Sequence, residues 1–185
     1  NQGRIYDLVM DMLTFSTDRQ PALQLASVND TVRDVCEMTQ ELAQEADVDL
    51  LFDEGPEIPA TRFDPEGIHR AVLNLVNNAI EAVEDRPDAR VNVTTGIDDE
   101  AGRIVVEVQD NGPGIDPELL PRLFQLFEST KGARGTGLGL AVSRKIIAEH
   151  GGEIQVENRP GAGCRFRMTW PLEANVEEAN TEASG

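Results

Sequence analysis

The chain has 185 residues, enough to bury a real core as a single domain. Its 34 acidic residues against 16 basic ones give a formal charge of −18, and the lysines and arginines form no basic tract, which argues against nucleic acid as a partner. Two cysteines without metal-ligand spacing, no apolar run of membrane-spanning length and no signal-peptide pattern point to the cytoplasm, with any membrane anchor expected in segments outside this one.

Residues 4–15 carry Ile5, Leu8, Val9, Met12, Leu13 and Phe15 at helical spacing, and Gln20-Pro21 breaks that helix. Residues 23–26 and 47–52 read as strands flanking a helix over 29–46. The apolar stripe of that helix, Val32, Val35, Leu42 and Ala43, includes Cys36, which marks it as a reduced core thiol. Asp64-Pro65 then supplies an N-cap with proline at the first helical position. The helix it opens has one apolar stripe: Ile68, Val72, Leu75, Val76, Ala79 and Val83. Asn74 and Asn78 lie one turn apart on a different face, beside the small Ala71 and Ala82, while Asn77 points away and reads as ordinary surface or local structure. Such a pair can sit on a solvated helix face, or it can offer amide oxygens to a hydrated Mg²⁺ bridging phosphates.

Residues 90–96 and 103–110 look like a hairpin whose second strand ends on Asp110. Asp110-Asn-Gly-Pro-Gly-Ile115 follows. Gly112 and Gly114 allow a sharp turn and a close approach, and a carboxylate there can accept from an exocyclic amine such as that of adenine. An ordinary Asp-Asn-Gly turn has the same letters. The second cluster, Gly135-Thr136-Gly137-Leu138-Gly139-Leu140, feeds a helix reaching His150 and can present backbone N–H groups to an anion. A P-loop is excluded because no glycine is followed by Lys and then Ser or Thr. A dinucleotide fingerprint is excluded because its third glycine would fall at Pro117 or Leu140. Residues 153–157 and 164–170 read as a second hairpin, and the acidic, unpatterned run from Glu173 onward as a disordered tail.

Taken in order, Asn74-Leu-Val-Asn-Asn78, Asp110 to Ile115, Phe124-Gln-Leu-Phe127 with Ser129-Thr-Lys131, and Gly135 to Leu140 resemble the N, G1, F and G2 boxes of the sensor histidine kinase ATP-binding domain. The resemblance covers residues 22–172 and implies an α+β fold, a two-layer α/β sandwich of the Bergerat type with a mixed, mainly antiparallel sheet on helices. It also implies ATP and Mg²⁺ as cofactors. Asp110 would bind the adenine amine, Asn78 would ligate Mg²⁺, and Asn74 would support the phosphates or the metal. Gly112, Gly114 and Ile115 would shape the adenine floor. Gly135, Thr136, Gly137, Leu138, Gly139 and Leu140 would hinge the lid and meet the phosphates; the lid bears Lys131 and Arg134, and Phe127 before it would line the nucleotide site or, with Phe124, belong to the core. Lys131 or Arg134 would neutralise a γ-phosphate. Only residues 128–134 separate the F box from the second glycine cluster, which resembles the short-lid, nitrogen-regulation type.

Topoisomerase and chaperone relatives of this superfamily hydrolyse ATP with a glutamate four residues before the metal asparagine. Asn74 stands at that position, and an amide is no general base. The expected chemistry is therefore transfer of the phosphoryl group, with Asn74 and Lys131 assisting, to a histidine on an upstream hairpin. Neither His69 nor His150 is followed by an acidic residue. Residues 1–20 would be the end of that dimerising hairpin and its linker, residues 21–172 the catalytic domain, and residues 173–185 the tail. The partners would be the hairpin of a homodimer and a cognate response regulator. An anti-sigma-type serine kinase and a non-catalytic ATP-binding module are the competing classes.

Overall fold

The computed structural model describes residues 2–16, 20–125 and 138–172. Its centre is a five-stranded sheet ordered β2-β4-β5-β7-β6. β2 (Asp49–Asp53) runs parallel to β4 (Arg90–Asp98), whereas β5 (Arg103–Asp110), β6 (Glu153–Arg159) and β7 (Gly163–Pro171) pair antiparallel. The sheet alternates as a half-covered sheet must. Val91, Val93, Ile104, Val106, Val108, Phe166, Met168 and Trp170 are buried beneath helices. Glu107, Arg165 and Arg167 face the other way, with Arg165 3.5 Å from Glu157 and Arg167 3.8 Å from Glu107. This α+β sandwich agrees with the fold expected from the resemblance.

Three helices form the second layer: α2 (Val28–Glu45), α3 (Pro65–Val83) and α4 (Gly139–Glu149). Ser27 caps α2 by accepting from Asp30 N at 3.2 Å, and Asp64 caps α3 by accepting from Gly67 N at 3.1 Å, with Pro65 opening the helix. Every residue of the α3 stripe is buried, and Ala71 and Ile80 join it. The α2 stripe is displaced from expectation. Leu42 is 44% exposed, and Thr39 is buried in its stead, its hydroxyl donating to Val35 O at 2.8 Å, so the polar group reaches the core already satisfied. Cys36 and Cys164 are buried free thiols, as the sequence suggests for the first of them.

A short ribbon was not anticipated: β1 (Gln24–Ala26) pairs antiparallel with β3 (Thr61–Phe63) in a separate two-stranded sheet. Thr61 and Phe63 are buried, and the Phe63 ring stands 6.4 Å from that of Trp170. The expected strand over 47–52 starts two residues later, because Asp47 adopts φ 53° to leave α2.

The first helix, α1 (Gln2–Ser16), docks on α3 and α4 through polar groups. Asp11, buried among exposed neighbours, accepts from Arg70 Nε at 3.0 Å, and Lys145 Nζ donates to the terminal carbonyls of Thr14 at 3.0 Å and Phe15 at 2.8 Å. Its apolar side chains Ile5, Val9, Met12 and Leu13 stay exposed. No helix among the described residues is long and apolar enough to cross a membrane.

Candidate functional site

α3 is the common support of the two glycine clusters. Arg70, Asn74 and Asn78 follow one another at four-residue steps along it and therefore share a face. The Asn74 amide Nδ2 donates to Gly139 O at 3.1 Å, fixing the start of α4 against the middle of α3. One turn further along α4, the fully buried Ser143 hydroxyl donates to Ala71 O at 3.0 Å. Leu138, at the N-cap of α4, has no polar side chain with which to cap the helix, so the first-turn N–H groups of Gly139, Leu140 and Ala141 are left for other acceptors. Leu140 packs against the core.

The first cluster meets α3 at its other end. Asp110, 5% exposed at the end of β5, accepts from Gly112 N at 2.8 Å and so folds the turn onto its own carboxylate. A Cβ on Gly112 would lie 2.8 Å from Asp110 Oδ1 and 3.1 Å from Ala82 O, which places the turn against the last turn of α3. Gly114 has φ +78°, and a Cβ there would meet Arg159 O at 2.9 Å. Ile115 packs against the core beside it. Burial, and after it the Asp110 carboxylate, push the neighbouring Cys164 thiol up to about 12.

Three residues that sequence reasoning did not single out hold this turn. Asn111 accepts from Arg90 N at 2.8 Å and donates to Asp88 O at 2.7 Å. Asn158 accepts from Ile115 N at 2.8 Å and donates to Ile115 O at 2.6 Å. Gly163 lies so near β5 that a Cβ would fall 2.0 Å from Asp110 O. The sequence signal for the last two was only a turn-like Asn158-Arg-Pro-Gly161 run.

Asn78 is half-buried one turn beyond Asn74. Asn77, read as surface or local structure, is half-buried, and its Oδ1 is buried without a hydrogen-bond partner. Phe124 packs edge-on to Phe166 with ring centroids 6.5 Å apart, and the Arg144 guanidinium lies 5.6 Å above its ring. Phe127, Lys131, Arg134, Gly135, Thr136 and Gly137 lie outside the described residues, as does the tail. Both histidines are engaged locally. His69 Nε2 lies 2.9 Å from Asp34 Oδ2, while His150 Nε2 accepts from Asp64 N at 3.0 Å with Nδ1 2.7 Å from Ile146 O.

Comparison with known proteins bears on this arrangement. Residues 63–174 match the family described as histidine kinase-, DNA gyrase B-, and HSP90-like ATPase. The signal transduction histidine-protein kinase AtoS of Escherichia coli (strain K12) is 33% identical over 168 residues, covering 91% of this chain and 27% of its own. Full-length ShkA in complex with AMPPNP superposes with a TM-score of 0.82 at 27% identity, over 93% of this chain and 36% of that one. Histidine kinase ThkA in complex with the response regulator protein TrrA superposes at 0.75 with 30% identity, over 93% and 48%. The chain spans 24% to 50% of the length of the first curated relatives it matches. The family match runs from the strand before α3 to the end of the sheet, taking in both glycine clusters and the helix that joins them, and on that ground the chain belongs to the histidine kinase-, DNA gyrase B-, and HSP90-like ATPase family.

Proposed function

We propose that this chain is the ATP-binding catalytic domain of a two-component sensor histidine kinase, aligning MgATP for transfer of its γ-phosphoryl group to a histidine on a helical hairpin outside residues 21–172. The observation that carries the reading is the anchoring of both glycine clusters on α3, through the Asn74 bond to Gly139 O and the approach of Gly112 to Ala82. The complexes of ShkA with AMPPNP and of ThkA with TrrA support it.

In this reading the Asp110 carboxylate, held by Gly112 N, accepts the adenine amine, with Gly114 and Ile115 beside the ring. The N–H groups at the start of α4, with Gly135, Thr136, Gly137, Leu138, Gly139 and Leu140, meet the phosphates. Among the described residues no three His, Cys, Asp or Glu side chains gather as a metal cage. A set of one amide oxygen with phosphates and water suits Mg²⁺, and Asn78 would supply that oxygen. The ion, when bound, neutralises phosphate charge. Asn74 has its Nδ2 committed to Gly139 O and cannot take a proton from water, so it positions rather than hydrolyses. Lys131 or Arg134 would neutralise the γ-phosphate, and Phe127 would lie beside the nucleotide. Phosphoryl transfer then depends on alignment and charge stabilisation rather than on a protein base. Both histidines of the chain are already engaged, which supports an acceptor elsewhere.

Residues 1–20 would belong to the dimerising hairpin and its linker, the work would be cytoplasmic, and a response regulator would take the phosphoryl group onward. Calorimetry with ADP and with a non-hydrolysable ATP analogue plus Mg²⁺ tests the pocket. Binding by the parent chain that is weakened in Asp110→Asn is expected, and equal affinities would refute the assignment. Steady-state ATP hydrolysis should be negligible, and fast turnover would favour an ATPase instead.

A further inference from the structure

The β6–β7 hairpin lies outside all four motifs, yet it is bonded directly to the turn that follows Asp110. Asn158 pairs with Cys164 across β6 and β7, and Cys164 pairs with Asp110 across β7 and β5, so the three residues form one row and share the helix-covered face of the sheet. From that row the Asn158 amide reaches Ile115 with both functions, accepting from its N–H at 2.8 Å and donating to its C=O at 2.6 Å, as a neighbouring strand would. Gly161 N adds a bond to Pro113 O at 2.6 Å. Gly114 carries no Cβ, and one placed there would strike Asn158 Oδ1 and Arg159 O, both at 2.9 Å, so hairpin and turn are in backbone contact. The segment between Asp110 and Ile115 is therefore held at Asp110 by β5 and at Ile115 by a side chain 43 residues away.

We infer that Asn158 is a positioning residue for the nucleobase: through Ile115 it sets the wall facing the Asp110 carboxylate and so contributes to selection of adenine over guanine. This rests on the nucleotide reading above. A preorganised wall matters because a site built to hydrogen-bond one base rejects another only while its groups cannot relax toward it.

The test measures ADP and GDP affinity, by calorimetry, on the full 185-residue chain, on Asn158→Ala, which loses both bonds, and on Asn158→Asp, which is isosteric but cannot donate to Ile115 O when ionised. ADP affinity should fall about tenfold in Asn158→Ala, because the Ile115 backbone, no longer held in place beforehand by the two bonds, must be ordered on binding. GDP affinity should change less, so that the preference for ADP narrows. A general loss of folded protein would lower both affinities by the same factor and leave the preference unchanged. Should Asn158→Ala not fold, the same narrowing is required of Asn158→Asp, whose carboxylate still accepts from Ile115 N but, when ionised, repels Ile115 O. ADP binding by the parent with an unchanged ADP-to-GDP ratio in the folded variants overturns this inference alone. Absence of ADP binding by the parent overturns the nucleotide reading and this inference with it.

Discussion

Three glycines with positive φ separate backbone strain from steric clash. Gly102, Gly161 and Gly163 have φ of +61°, +79° and +116°; a Cβ at the first two meets nothing within 4 Å, whereas at Gly163 it lies 2.0 Å from Asp110 O and 2.9 Å from Asp110 C. Alanine at 161 therefore bears only the left-handed backbone cost, about 1–2 kcal/mol. Alanine at 163 adds overpacking against backbone that has no rotamer to yield, bringing the total to about 2–5 kcal/mol. Relief requires β7 to part from β5 where Asp110 pairs with Cys164, so the buried carboxylate moves as well. For a domain of this size about 1 kcal/mol displaces Tm by roughly 2–4 °C. Gly161→Ala should thus melt about 5 °C below the parent, and Gly163→Ala about 10–15 °C below or not fold at all, since total stability is only about 5–15 kcal/mol. Circular dichroism melts of the three proteins decide it. Equal losses at 161 and 163 would refute the argument that the β5–β7 approach, rather than φ, is what demands glycine there.

Two further outcomes rest on titration. Burial pushes the Cys36 thiol up to about 11 and the Cys164 thiol up to about 12, from 9.0. With folded values above the unfolded one, this stabilisation is complete below pH 9 and is lost as pH climbs through 11 to 12. The denaturation midpoint should fall over that window more steeply in the parent than in Cys36→Ala/Cys164→Ala, and parallel curves would contradict it; iodoacetamide at pH 8 should label neither thiol before unfolding. Asp11 also sits above its ordinary value, because burial outweighs the Arg70 guanidinium. Its contribution is complete below the unfolded value of 3.8 and is lost as pH rises through the folded one, so ionisation opposes the docking of α1. Asp11→Asn, which keeps an oxygen for Arg70, should protect the α1 amides from exchange at pH 7 at least as well as the parent, and Arg70→Ala less well. Faster exchange in Asp11→Asn than in the parent would show that the charge itself holds the helix.

How much of this was legible in the sequence follows from the range of the interactions involved. α3 was readable because a capping aspartate, a proline and a six-residue stripe are all local, and the β4–β5 hairpin because alternation is local too. β3 was not: its three residues follow Pro56 and Pro59, carry too little pattern for a strand, and owe their pairing to Gln24–Ala26, far back in the chain. Leu42 was misplaced because hydrophobicity alone ranks it above Thr39, and only the hydroxyl bond to Val35 O makes the threonine an acceptable core residue. At the candidate site, Asn74, Asp110 and the glycines were singled out by type and spacing, and among the described residues Asn74 is bonded to Gly139 and Asp110 to Gly112. Asn158 was not, since its importance lies in a bond spanning 43 residues and nothing in its own neighbourhood announces it.

A chain of net charge −18 that is to hold phosphates must generate a positive potential locally, and the helices of the site narrow its sources. α3 and α4 together carry Arg70, Arg144 and Lys145, apart from His69. Arg70 is drawn to Asp11, Lys145 caps the end of α1 and lies 3.7 Å from Glu149, and Arg144 covers the Phe124 ring. All three therefore have partners within the protein. In the proposed pocket the attraction for phosphate then falls to the amides at the start of α4, to Mg²⁺, and to Lys131 and Arg134 in the lid. Amides at a helix terminus act at short range, whereas lid cations and a metal act at longer range and are screened by salt. The triphosphate should consequently lose affinity with rising ionic strength faster than adenosine does. A common salt dependence for both would place the binding energy on the base alone.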